Sequence, residues 1–112
     1  MNLFKIFRRP EWDALRSKGS TFGAPVDLAD GFIHLSTAQQ VAETAAKHFA
    51  AESDLVLVAV PADRLGADLK WEVSRGGALF PHLYRPMRME DVLWDKSLPL
   101  GATGHIFPQG VL

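Results

Sequence analysis

The chain of 112 residues contains no cysteine. Disulfides, thiolate nucleophiles and sulfur-ligated zinc are excluded together, and the expected compartment is a reducing one, the cytoplasm. Long apolar runs are missing too. No segment approaches the roughly 20 apolar residues of a membrane span, and the basic Lys5, Arg8 and Arg9 are not followed by the apolar stretch of a signal peptide. Nor is there an excess of either charge. With 12 basic and 13 acidic residues the net charge is −1, so general nucleic-acid binding is not expected. Repeats and low-complexity blocks are also lacking. What is present reads as one soluble domain, long enough to bury roughly two thirds of the surface its unfolded form exposes.

Asn2 to Phe7 has the alternation of a strand, with Phe4 and Ile6 on one face and Lys5 on the other. Pro10 suits the first turn of a helix that Glu11 and Asp13 favour at its start, Arg16 and Lys18 favour at its end, and Gly19 stops. Trp12 and Leu15 form its buried stripe. From Gly19 to Asp30 no period persists, which predicts a loop long enough to be functional. Phe32 to Leu35 reads as a strand. The next helix, capped by Ser36 or Thr37 with Gln39 or Gln40 completing a capping box, is expected to run to about Ala50.

The apolar run Leu55 to Val60 predicts a central strand covered on both faces. After a turn over Ala62 to Asp68, Leu69, Trp71 and Val73 alternate with Lys70, Glu72 and Ser74 in a half-buried strand, with Trp71 on the core side. Leu79 to Tyr84 returns as a strand with Phe80, His82 and Tyr84 on one face, and Pro81 marks it as an edge or a bulge. A helical turn is expected at Met87 to Asp91 and a last strand at Val92 to Trp94. Prolines and glycines after Leu98 predict a loosely ordered tail, so the domain spans residues 1–98 and the tail 99–112.

Two polar clusters stand out. In Asp30-Gly31-Phe32-Ile33-His34-Leu35-Ser36-Thr37 a histidine and two hydroxyls lie where a strand ends and a helix begins, a place where free backbone N–H groups can meet an anion. The second is Trp71-Glu72-Val73-Ser74-Arg75-Gly76-Gly77, followed by Phe80-Pro81-His82-Leu83-Tyr84. Taken singly, each residue has a plain structural role. A lone strand histidine is usually packed and satisfied, Ser36 and Thr37 can be caps, and Glu72 with Arg75 can be an ion pair closing a turn. Together they suggest a site. His34, Glu72 and His82 are residue types that zinc hydrolases use, yet no H-x-H or H-E-x-x-H spacing sets two of them on one element, so no metal is expected. Neither Ser36 nor Ser74 lies in a nucleophile elbow, which disfavours a serine hydrolase.

These blocks resemble a bacterial family about one domain long, known as domain of unknown function 952. Its members share Asp-Gly-Phe-Ile-His-Leu-Ser-Thr, here Asp30 to Thr37, and Trp-Glu-x-Ser-Arg-Gly-Gly-x-Leu-Phe-Pro-His-Leu-Tyr, here Trp71 to Tyr84. The resemblance runs from the first strand to about Trp94. It implies an α+β fold similar to that of the ADP-ribosyltransferases, a single domain whose small mixed or antiparallel sheets form a cleft for NAD. By that resemblance His34 would hold a ribose hydroxyl, Ser36 and Thr37 would lie near ribose or phosphate, Tyr84 would stack on nicotinamide, and Arg75 would pair an anion.

Glu72 precedes Tyr84, whereas those enzymes place their glutamate after the aromatic. The acid/base role therefore falls to Glu72 or to His82, the latter as in the branch of that superfamily that uses a second histidine and transfers a phosphate to NAD. Two classes of function remain open. One is a NAD-dependent enzyme that transfers ADP-ribose or uses NAD as acceptor. The other is a non-catalytic module that binds a nucleotide in the same cleft.

Overall fold

The computed structural model describes residues 1–112 apart from Arg75. The fold is α+β, built on two antiparallel three-stranded sheets. In the first, β4 (Leu55–Pro61) lies between β1 (Asn2–Arg8) and β8 (Trp94–Leu98). In the second, β6 (Leu79–Leu83) lies between β3 (Ile33–His34) and β5 (Leu69–Val73). Hydrogen bonds between Phe4 and Ser36 join the sheets at one point, Phe4 N–H to Ser36 O at 2.8 Å and Ser36 N–H to Phe4 O at 2.9 Å.

The first sheet is covered on both faces, as the uninterrupted apolar run of β4 requires. On one face Leu3, Phe7, Val56, Val58 and Val60 pack against Trp12 and Leu15 of α1 (Arg9–Lys18) and against Ile33, Leu35 and Leu83 of the second sheet. On the other, Phe4, Ile6, Leu55, Leu57 and Ala59 pack against Val41 and Ala45 of α3 (Val41–His48). Every residue from Leu55 to Val60 is buried, each large side chain contributing roughly 1.5–3 kcal/mol. Among the described residues no helix is long and apolar enough to cross a membrane.

Several expectations are corrected. Residues 19–30 do not form a plain loop. They contain β2 (Ser20–Thr21), which pairs with β7 (Met87–Arg88), and α2 (Pro25–Asp30), started by Pro25 and ended by Gly31 at φ +85°. Neither Ser36 nor Thr37 directly precedes α3. The Ser36 backbone is committed to Phe4, and only part of the capping box forms, with Gln40 Oε1 accepting the Thr37 N–H at 3.1 Å. Trp71, expected on the core side, is 41% exposed on the edge strand β5, level with Pro81.

Pro81 sits in the central strand of its sheet, neither at an edge nor in a bulge. In an antiparallel ladder a residue directs its N–H and C=O to the same neighbour. Pro81 gives its carbonyl to Leu35 N–H at 3.0 Å and has no N–H to return, so the β3 ladder ends at His34 and the chain is free to cross to Phe4.

The last strand starts at Trp94 and continues to Leu98, two positions later than its sequence pattern begins. Residues 99–112, expected to be loosely ordered, contain the hairpin β9 (Leu100–Gly101) and β10 (Gly104–His105). His105 Nε2 lies 2.8 Å from Glu52 O, and Val111 is buried against the α3 face of the first sheet.

Candidate functional site

Beyond the Phe4–Ser36 link, β1 and β3 part, and a cleft of about 720 Å³ lies between them, walled also by α3 and the β5–β6 hairpin. Its size falls within the range usual for small-molecule sites. His34, Ser36 and His82 line it, with Asp30 at the end of α2 and apolar walls that include Phe4 and Phe80.

At one side of the cleft Asp27 collects four donors. Its Oδ2 accepts from Lys5 Nζ at 2.7 Å and from Ala24 N–H at 2.8 Å, while Oδ1 accepts from His34 N–H at 3.0 Å and lies 2.6 Å from His34 Nδ1. Local sequence explains the placement. Asp27 is the third residue of α2, where a carboxylate reaches back to the residue before the helix. Gly23 has a positive φ, and a Cβ there would collide with the Asp27 carboxylate. Burial pushes the Asp27 pKa up, but the His34 hydrogen bond and the charge and hydrogen bond of Lys5 outweigh it and hold it at about 2. Asp27 thus ties β1 to β3 through a charged centre with almost no exposure. The second ring nitrogen of His34, Nε2, lies 3.0 Å from Asp30 Oδ2.

On the neighbouring strand His82 faces His34 in register, with ring centroids 5.4 Å apart. His82 is 3% exposed. Phe32 stacks on it at 4.0 Å and also packs against His34 and Tyr84. His82 Nδ1 lies 2.8 Å from Glu72 Oε1, which also accepts from the Tyr84 hydroxyl at 2.5 Å. Nε2 of His82 is buried with no hydrogen-bond partner among the described residues. Buried polar atoms are nearly always paired, so an orphan on a residue that lines the cleft is a candidate contact for a ligand or a water.

Of the residues singled out by sequence, His34, Ser36 and His82 are on the cleft wall. Glu72 stands behind His82. Tyr84, expected to stack in the cleft, instead packs on Phe32 and bonds Glu72. The Ser36 hydroxyl is 2.9 Å from Thr44 Oγ1 on α3, and buried Thr37 supports the turn before α3 without lining the cleft. Arg75 lies outside the described residues. Among those described, no group of three or more histidine, aspartate or glutamate side chains could hold a metal ion.

Sequence reasoning missed Lys5, Asp27, Asp30 and Phe32. Two signals were available. A lysine amid Leu3, Phe4, Ile6 and Phe7 needs a buried partner, and Pro25, Asp27 and Gly31 carry the start, first-turn and stop marks of a short helix.

Comparison with known proteins defines the class. Residues 6–95 match the model of a family described as proteins of unknown function, DUF952, and the chain belongs to that family. It is similar to the crystal structure of protein CC0527 from Caulobacter crescentus, a structural-genomics target. The two share 54% identity and a TM-score of 0.90 over 94% of this chain and 92% of that one. A double mutant of CC0527 is similar at 52% identity and a TM-score of 0.89 over the same shares. The solution NMR structure of CC0527 gives 55% identity and a TM-score of 0.83 over 93% of this chain and 90% of that one. No curated protein matches the chain.

Proposed function

We propose that the cleft binds NAD or a related nucleotide, in an ADP-ribosyltransferase-like arrangement, and that the protein transfers ADP-ribose or uses NAD as acceptor. The observation that carries this reading is that His82 lines the cleft with a buried Nε2 that has no hydrogen-bond partner among the described residues, while Glu72 engages Nδ1. A carboxylate on one imidazole nitrogen orients the other as an acid/base group. In ADP-ribose transfer the bond between ribose C1 and the nicotinamide nitrogen breaks, its electron pair leaves with nicotinamide, and an acceptor heteroatom bonds to C1. The acceptor's proton goes to His82 Nε2. His34, held at Nδ1 by Asp27, would orient a ribose hydroxyl, and Ser36 would lie close by. Stacking, assigned by resemblance to Tyr84, would pass to an aromatic on the wall such as Phe80.

Two observations favour a second reading, a non-catalytic nucleotide-binding module. The Ser36 hydroxyl is already engaged by Thr44, and Asp30 sits against His34 Nε2. One experiment separates the readings. The melting temperature is measured with millimolar NAD, ADP-ribose and AMP, and nicotinamide release is followed with candidate protein, RNA and small-molecule acceptors. A ligand at 100 times its dissociation constant adds roughly 2.7 kcal/mol, a shift of several degrees. Stabilisation together with release that is lost in His82→Ala supports the enzyme, and stabilisation without release supports the module. No stabilisation by any of the three rejects both.

A further inference from the structure

Asp30 is the one acidic residue among the described residues lining the cleft. Its carboxylate stands 3.0 Å from His34 Nε2 and is half exposed. Among the described residues, the lysine and the arginine that line the cleft are already engaged. Lys5 is paired with buried Asp27 at 2.7 Å, and Arg8 with Glu52 at 2.8 Å. Among the described residues, a phosphate placed beside His34 would therefore meet a carboxylate and no unpaired lysine or arginine. A hydroxyl meets an acceptor in Asp30 and a ring nitrogen in His34. Asp30 is the last residue of α2 and its side chain is half exposed, so it can turn while buried Asp27, three residues earlier, keeps its four donors.

From this geometry we propose that Asp30 sets the specificity of the His34 end of the cleft. It accepts a hydrogen bond from one hydroxyl of a vicinal diol while the neighbouring hydroxyl meets His34 Nε2, and it excludes a phosphate ester from the same place. Sugar hydroxyls enter there, and the phosphates of the ligand lie elsewhere along the cleft. The proposal rests on the nucleotide reading above and narrows it. The Asp30 carboxylate stands against His34 Nε2, so binding exchanges that contact for two contacts with the sugar.

The test is isothermal titration calorimetry on the full chain, with AMP and nicotinamide mononucleotide and the 2′-deoxy and 2′-phosphorylated counterpart of each. At least one mononucleotide is expected to bind about tenfold more tightly than its 2′-deoxy form, since a hydrogen bond to a charged group is lost. Its 2′-phosphorylated form should bind more weakly still. Asp30→Ala should bring the ratio to the 2′-deoxy form close to one. Asp30→Asn keeps a carbonyl acceptor without the charge, so it should retain much of that ratio and recover binding of the phosphorylated form. Ratios between ligands within one variant are insensitive to a partial loss of folded protein.

Mononucleotides that bind with no regard to the 2′ position, or preferences unchanged in both variants, overturn the role of Asp30 and leave the nucleotide reading standing. No binding by either mononucleotide or by NAD at millimolar concentration overturns the reading and this proposal together.

Discussion

Glu72 Oε1 lies 2.8 Å from His82 Nδ1 and accepts the Tyr84 hydroxyl at 2.5 Å, so one oxygen ties a buried imidazole to a half-exposed phenol. The β5–β6 register makes this possible. Lys70 pairs with His82 and Glu72 with Phe80, which sets Glu72 and His82 diagonally on one face of the sheet. The Tyr84 hydrogen bond and then that of His82 lower the Glu72 pKa, and the Glu72 carboxylate raises that of Tyr84, because ionising the phenol would set two negative charges together. Glu72 therefore stays ionised through the neutral range. Facing a carboxylate, Nδ1 carries the proton, and Nε2 is the ring nitrogen left without a partner among the described residues.

This relationship makes Glu72→Gln the informative substitution at the dyad. If His82 is the acid/base group, the variant should keep the fold and most of the nucleotide affinity while nicotinamide release falls about 100-fold, as loss of a positioned acid/base partner does. Tyr84→Phe should cost less, since His82 keeps Glu72. Release that is unaffected by Glu72→Gln yet abolished by His82→Ala would reduce Glu72 to a surface partner of Tyr84.

Asp27 should carry much of the stability of the cleft. Asp27→Ala leaves Lys5 Nζ buried without a counter-charge and frees both His34 donors, a loss of about 3–5 kcal/mol for breaking a buried pair from one side. Lys5→Met should be milder, because Asp27 keeps three donors. The double variant should be more stable than Asp27→Ala alone, since the orphaned ammonium is gone. Urea unfolding of the three variants gives the coupling directly, and additive effects would mean that the pair does not interact.

Acid should act through the same carboxylate. The Asp27 pKa is lowered from 3.8 to about 2 in the folded chain. A depressed folded-state value stabilises above the unfolded-state pKa and is lost as pH falls through the folded one. Asp27 should thus contribute roughly 2 kcal/mol at neutral pH that disappears between about pH 4 and pH 2. Asp91, Glu52 and Glu72 are lowered as well and add to the slope in the same direction. The unfolding free energy of wild type should drop more steeply over that window than that of Asp27→Asn, and parallel curves would remove the assignment.

The parts of the fold that were legible in the sequence are those that follow from local pattern. β1, α1, β4 and the shared face of Phe80, His82 and Tyr84 need only periodicity and punctuation, and they stand where the residues place them. What was not legible depends on partners distant in the chain. Trp71 lies exposed on a strand that pairing places at the edge of its sheet, and Pro81 is tolerated centrally because its missing N–H meets the end of a two-residue strand. The site divides in the same way. His34 and His82 were visible as residue types, but their facing register and the orphaned Nε2 exist only after β3 and β6 pair. Asp27 was hidden because its importance lies in Lys5, 22 residues earlier.

The C-terminal segment gives the last test. Removing residues 99–112 takes away Val111, buried against β4 and α3, the partly buried Phe107, and the His105 hydrogen bond to the Glu52 carbonyl. Burial of an apolar side chain is worth roughly 1.5–3 kcal/mol, so the truncated chain should lose roughly 2–4 kcal/mol and its Tm should fall by roughly 10–20 °C. The effect should reach the cleft. Helix α3 presents Ala45 to this segment's side of the core while Thr44 and His48 line the cleft, so loosening the packing under α3 unsettles a cleft wall. Nucleotide affinity should therefore fall in the truncated protein even at temperatures where it remains folded, and Val111→Ala should reproduce part of both losses. A truncated chain with unchanged Tm and affinity would show that the hairpin packs on the domain without supporting it.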